Sequence, residues 1–324
     1  MIRHALTVLC FLSIALAACG SQPKPPLSTA PSTMEAVTPL RILATTTLVG
    51  DVVRQVGGDA IQLDVLLPSG GDPHSFEPTP QDILKLAGAD VLVINGAGLE
   101  TFLERLIASA NSQAKVIDAS QGIALLASPE AHEHDHEHEQ EGEDHSEHPA
   151  GDPHVWMDPN NVLIWVDNIE RSLSEMDAAN AATYHANAQN YRQELQQLDE
   201  WIRQQVAQIP PANRKLVTDH LVFTYFAEEY GFTQVGAVIP GYSTLAEPSA
   251  QELAALEDAI RELGMKAVFV GNTVNPALAQ RVAQDTGVRL VFIYTGSLSQ
   301  PGGEAATYLD YLRYNVRAIV EALQ

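Results

Sequence analysis

Three histidines in this 324-residue chain have the placement of metal ligands. His74 lies in Asp72-Pro73-His74-Ser75-Phe76-Glu77-Pro78, His154 in Asp152-Pro153-His154-Val155-Trp156-Met157-Asp158-Pro159, and His220 in Asp219-His220. Each comes after a segment with the composition of a short strand, and ligands of open α/β sheets bind beyond the carboxyl ends of strands. A single histidine is more often a surface or satisfied core residue. Three at strand ends, two of them inside a repeated Asp-Pro-His, reverse that expectation. Proline fixes the direction of the chain at the histidine, and a carboxylate or carbonyl beside each ring would fix its tautomer. Glu77, Asp158 and Asp219 are near enough in sequence to be those partners. Imidazole suits zinc, copper, iron and nickel, whereas manganese, calcium and magnesium prefer oxygen, so three imidazoles point to zinc. Such a site would hold zinc at about 2.0–2.1 Å from each nitrogen and weaken as protons compete for the rings.

The segments that must carry these residues alternate in periodicity. Strand patterns at residues 41–45, 61–67, 91–94 and 115–118 alternate with helical patterns at 48–56, 81–87 and 99–109. The alternation resumes with strands at 215–218, 233–238, 267–270 and 289–294 and helices at 222–230, 250–263, 276–286 and 305–323. That order predicts parallel sheets covered by helices. Between the two series, residues 177–209 read as one helix, with Leu195, Leu198, Ile202 and Val206 on one face and Pro210-Pro211 ending it. At the helical rise it would reach about 45 Å, long enough to tie two domains together. The expected fold is therefore α/β, two lobes, each a mainly parallel sheet flanked by helices, joined by one long rigid helix. The N-terminal lobe covers residues 40–176, the linking helix 177–209 and the C-terminal lobe 210–324. His74 and His154 belong to the first lobe and His220 to the second, which puts the site in the cleft between them.

The remaining segments set the chain's surroundings. Arg3 and His4 precede an apolar run over residues 5–18 that is too short to span a bilayer and has signal-peptide form. It ends in Leu16-Ala17-Ala18-Cys19, which resembles the lipobox of bacterial lipoproteins. On that reading residues 1–18 are removed, Cys10 with them, and Cys19 carries the lipid, so neither a disulfide nor a thiolate ligand remains. Residues 19–39, rich in Pro, Ser and Thr, read as a flexible tether. The formal net charge of −23 argues against a nucleic-acid partner and draws cations toward the protein. Residues 128–151 hold six histidines and nine acidic residues with no lysine or arginine. Too polar to bury itself, this stretch is expected to be a disordered insertion. Its His132, His134, His136, His138, His145 and His148 would hold metal weakly, since ordering the segment around an ion costs entropy.

These motifs resemble those of the solute-binding components of zinc and manganese ABC importers, in particular the zinc-uptake (ZnuA-like) branch. The resemblance runs from Arg41 to the C-terminus. It includes Gly71-Asp72-Pro73-His74, the 152–159 motif, Asp219-His220-Leu221-Val222-Phe223-Thr224-Tyr225-Phe226, Thr244-Leu245-Ala246-Glu247-Pro248-Ser249 and Tyr308-Leu309-Asp310 through Asn315. It implies two α/β lobes bridged by a rigid helix, with His74, His154 and His220 as metal ligands. Manganese binders of this family tend to carry Glu where His220 stands, which again favours zinc. The histidine-rich stretch is similar to the charged loop of zinc-uptake proteins and implies a modest role in collecting metal. One departure concerns the fourth ligand, an Asp in many members, where this chain reads Ile293-Tyr294-Thr295-Gly296-Ser297-Leu298. With Gly296 there, the fourth position falls to water, to a carboxylate such as Glu247, or to the insertion; water is the preferred reading.

The function implied is extracytoplasmic capture of Zn2+ and delivery to a membrane permease. The chain has no GxxxxGK[ST] phosphate-binding loop, so the ATPase of such an importer is a separate subunit. The protein is expected to be a lipid-anchored monomer that releases its ion through a small lobe shift that pulls His220 from the other two. Two other functions compete. Three histidines and a water also suit a catalytic zinc that keeps an open position, although the sequence offers no evident general base. A surface adhesin of the same fold is the other.

Overall fold

The computed structural model describes residues 38–127 and 151–324. The expected signal segment, Cys19, most of the tether, and the six histidines of the insertion lie outside these residues. Two four-stranded sheets are present, and every strand pair is parallel. The first contains β1 (Leu40–Ala44), β2 (Ile61–Val65), β3 (Val91–Ile94) and β4 (Lys115–Asp118) in the order β2-β1-β3-β4. The second contains β5 (Lys215–Thr218), β6 (Thr233–Ala237), β7 (Ala267–Gly271) and β8 (Arg289–Ile293) in the order β6-β5-β7-β8. In both sheets the order reverses beside the first strand, β1 or β5, and the crevice beyond the carboxyl ends at such a reversal is where open α/β sheets bind ligands. Helices α1 (Thr47–Gly57), α2 (Pro80–Gly88) and α3 (Leu103–Ala110) accompany the first sheet. Helices α6 (Thr224–Tyr230), α7 (Ala250–Glu262), α8 (Ala277–Thr286) and α9 (Tyr308–Leu323) accompany the second.

Local chemistry sets the helix starts. Thr46 accepts from Val49 N at the start of α1. Thr79 with Asp82 and Ser249 with Glu252 form reciprocal capping boxes on α2 and α7, which satisfy two orphan N–H groups at each end. Helix α3 starts at Leu103, later than its apolar pattern, because Glu100 turns inward instead. Its carboxylate accepts from Thr45 Oγ1 and Asn95 N, both at 2.6 Å, and from Gly96 N at 3.1 Å.

Between the sheets lie two helices, α4 (Pro159–Met176) and α5 (Ala181–Val206), rather than one. Residues 177–209, expected as one helix, contain α5, and no helix is expected over α4 from the sequence. Asp158 caps α4 by accepting from Asn160 N at 2.8 Å. At the junction, Asp177 accepts from Asn180 Nδ2 and Tyr184 OH, both at 2.7 Å, which turns the chain before α5 begins. The helix of 26 residues spans about 39 Å at 1.5 Å per residue. It packs on α4, on α1 of the first lobe and on α9 of the second. Its buried stripe of Tyr184, Ala188, Tyr191, Leu195, Leu198, Ile202 and Val206 repeats every three or four residues. One apolar core therefore runs from β1 and α1 through α4 and α5 to β8 and α9. Smaller clusters complete the outer side of each sheet.

Candidate metal centre

The three histidines converge at the carboxyl ends of the two sheets. Their donor nitrogens all lie within 4.8 Å of one another. His74 Nε2 stands 3.1 Å from His154 Nε2, and the ring centroids are separated by 5.2, 5.5 and 5.0 Å. Nitrogens about 2.05 Å from a tetrahedral ion lie about 3.3 Å apart, so the two facing Nε2 atoms already have the spacing of ligands. His154 and His220 are buried, and His74 is half-buried at the mouth.

Two of the three rings, those of His154 and His220, are oriented by an aspartate. His154 Nδ1 is 2.8 Å from Asp152 Oδ1, and His220 Nδ1 is 2.6 Å from Asp219 Oδ1. A carboxylate at Nδ1 demands the N–H tautomer there and leaves the Nε2 lone pair for a metal. The same aspartate oxygens accept the backbone N–H of the histidines they serve, His154 N at 2.9 Å and His220 N at 2.7 Å. Asp72 holds its loop similarly, accepting from His74 N at 3.1 Å and Ser75 Oγ at 2.9 Å. Asp219 is fastened from behind by Gly271 N, at the end of β7. Glycine is required at that point, because a Cβ at residue 271 would lie 2.0 Å from Thr295 Oγ1 and 2.8 Å from Asp219 Oδ2.

Burial, then the neighbouring imidazoles, push His74 well below the ordinary histidine value. Burial also lowers His154, against the opposing pull of Asp152. Both rings are therefore held neutral at physiological pH, the form that binds metal. Trp156 supports this arrangement by packing edge-on to His154 at 5.2 Å between centroids. Its Nε1 donates to Thr295 O at 3.1 Å, and Tyr308 OH donates to its carbonyl at 2.7 Å.

Of the expected orienting carboxylates, only Asp219 touches a ring. Asp158 caps α4, where burial, with Glu229 nearby, raises its carboxyl to about 6. Glu77 is exposed, beside Arg105 and Ser109 in a separate hollow. Both are near a histidine in sequence and turned from it in space. Asp152 is the carboxylate the sequence reading overlooked, although the repeated Asp-Pro-His contains it. Glu247 is exposed and stands outside the donor group. It borders an adjoining cavity of about 390 Å³ that Asp72, Thr244 and Asn275 also line. Gly296 is buried against the His74 loop, where a Cβ would meet Pro73 Cδ at 3.0 Å.

Comparison with known proteins agrees with this architecture. Residues 42–322 match the family described as zinc-uptake complex component A, periplasmic. The chain is 32% identical over 317 residues to the manganese-binding lipoprotein MntA of Halalkalibacterium halodurans, covering 98% of this chain and 97% of that protein. It is 29% identical to the iron-binding protein YfeA of Yersinia pestis, over 87% of this chain and 85% of that one. Among solved structures, the manganese-bound periplasmic metal-binding protein of Candidatus Liberibacter asiaticus superposes with a TM-score of 0.74 at 25% identity, covering 88% of this chain and all of that one. The periplasmic zinc-binding protein TroA of Treponema pallidum shares the fold, with a TM-score of 0.78 at 24% identity over 88% of this chain and 99% of that one. With its paired parallel sheets and its match over nearly the whole described length, the chain belongs to the zinc-uptake complex component A family, the metal-binding, non-enzymatic solute-binding proteins that work with the permease and ATPase of ABC transporters.

Proposed function

We propose that this protein captures Zn2+ outside the cytoplasm at His74, His154 and His220 and delivers it to an ABC-type importer. One observation carries the choice of metal. The donor group consists of three imidazoles, and no carboxylate belongs to it among the described residues. Nitrogen-only sites of this kind suit zinc, whereas manganese favours oxygen, and water completes the tetrahedron. On this reading Cys19 carries the lipid anchor, and the boundaries at residues 40–176, 177–209 and 210–324 separate lobe, link and lobe. His132, His134, His136, His138, His145 and His148 form a weak auxiliary store. The described residues on either side of this stretch lie beside the site, where Tyr242 OH donates to Ala127 O at 3.0 Å and Asp152 N donates to Leu126 O at 2.9 Å.

A manganese-binding counterpart is the second reading, favoured by the manganese-binding lipoprotein at 32% identity. Titration of the metal-free protein with zinc and with manganese, with and without residues 130–148, separates the two. A tight 1:1 zinc site that survives the deletion and is lost in His74→Ala is the expected result. Manganese binding as tight as zinc or tighter overturns the metal assignment.

A further inference from the structure

The two Asp-Pro-His loops share a second feature. In each, one aspartate oxygen serves only its own loop while the other reaches across the cleft, that of Asp72 also holding Ser75. Asp152 Oδ1 accepts from His154 N and Nδ1, and its Oδ2 accepts from Thr224 Oγ1, the first residue of α6. Asp72 Oδ1 accepts from His74 N, and its Oδ2 accepts from Ser75 Oγ and, at 2.6 Å, from Thr244 Oγ1. Thr224 and Thr244 both belong to the lobe that carries His220. Asp219, by contrast, spends its second oxygen within its own lobe, on Gly271 N. Both histidines of the first lobe are thus fastened to the second lobe through a hydroxyl–carboxylate bond, and among the described residues the histidine of the second lobe has no such bond to the first.

We propose that Thr224 and Thr244 are positioning residues, a pair of hydroxyl latches that hold the cleft shut around the three histidines and must break for the ion to leave. The pairing is built for this task. A hydroxyl bonded to a carboxylate is a strong bond and is lost completely with a small separation. Each latch ends on the aspartate that orients its histidine loop, so lobe opening and loss of ligand alignment become one event. Neither threonine hydroxyl is bonded to an imidazole, so removing a latch deletes no donor atom of the site.

The inference rests on the three-histidine reading of the site, and the experiment separates the two. Full-length protein loaded with zinc is mixed with excess chromogenic chelator and release is followed by stopped flow. Thr224→Val and Thr244→Val are each expected to accelerate release about tenfold, equivalent to about 1.4 kcal/mol, and the double variant about 100-fold. Zinc association rates and 1:1 stoichiometry stay at the wild-type values, which a general loosening of the fold would not preserve. Thr224→Ser and Thr244→Ser, which keep the hydroxyl, restore slow release. If a valine chain does not fold, the alanine variants carry the same expectation. Wild-type release from a double variant that still binds one zinc overturns the latches alone, as does a serine variant that releases as fast as valine. A wild-type protein that binds no zinc, or binds it undiminished after His74→Ala, overturns the site and the latches with it.

Discussion

Asp152→Asn tests how the site depends on the carboxylate behind His154. The side chain is fully buried, and its Oδ1 lies 2.8 Å from His154 Nδ1 and 2.9 Å from His154 N. Asparagine keeps the shape and an oxygen in that position, so both bonds survive in outline. The charge is lost, and hydrogen bonds with an ionised partner are about twice as strong as neutral ones. The amide N–H2 would also face the Thr224 hydroxyl, now donor against donor until the hydroxyl rotates. Loss of such an orienting partner costs about 10–100-fold in metal affinity, or about 1.4–2.7 kcal/mol. Competition titration of metal-free protein against a fluorescent zinc chelator at neutral pH reads this directly. Asp158→Asn is the control, because Asp158 caps a helix and touches no ring. Unchanged zinc affinity in Asp152→Asn, or an equal loss in Asp158→Asn, would refute the argument.

Three further changes have defined outcomes. Burial raises the Glu100 carboxyl to about 7 against the donors that oppose it. Its favourable share of stability is thus complete below pH 4.5 and is lost as pH rises through 7, about 3 kcal/mol in all. Denaturant melts of the metal-free protein at pH 5 and pH 8 should show wild type losing that margin relative to Glu100→Gln, and parallel changes would contradict it. Gly296→Asp should weaken zinc binding rather than supply a fourth ligand, because the new Cβ presses on Pro73 at 3.0 Å and displaces the His74 loop; tighter binding in the same competition titration would show the loop can yield. Leu198→Ala, at a fully buried position of α5, should cost about 2–5 kcal/mol in denaturant melts, and a loss under 1 kcal/mol would mean the helix is not part of the shared core.

Strand positions were legible because short runs such as Val91–Ile94 are apolar throughout, as strands buried on both faces must be. The α4 helix was equally legible in principle. Val162, Trp165, Val166, Ile169 and Leu173 repeat at helical spacing, and Asp158-Pro159 is a start signal of cap followed by proline at the first turn. The convergence of the three histidines was legible because each lies at a strand end. Their partners were found less well, since adjacency in sequence does not fix direction. Asp158 is four residues from His154 and caps the following helix, while Asp152, two residues away, curls back onto the ring. Contacts that join the lobes, such as Trp156 Nε1 to Thr295 O, pair residues far apart in the chain, and no local pattern announces them.

The last helix has a consequence for how the protein is made. The backbone N–H of Tyr308, at the start of α9, donates to Asp51 Oδ2 in α1 at 2.9 Å, across 257 residues. The same tyrosine's hydroxyl holds the Trp156 carbonyl beside His154. The N-terminal lobe, although synthesised first, therefore lacks this partner for Asp51 and one support of its ligand loop until α9 has been made. Contacts of such long sequence separation slow folding. The loop that carries His154 is therefore among the last parts of the protein to gain its full support, because that support arrives with a helix made long after the loop itself.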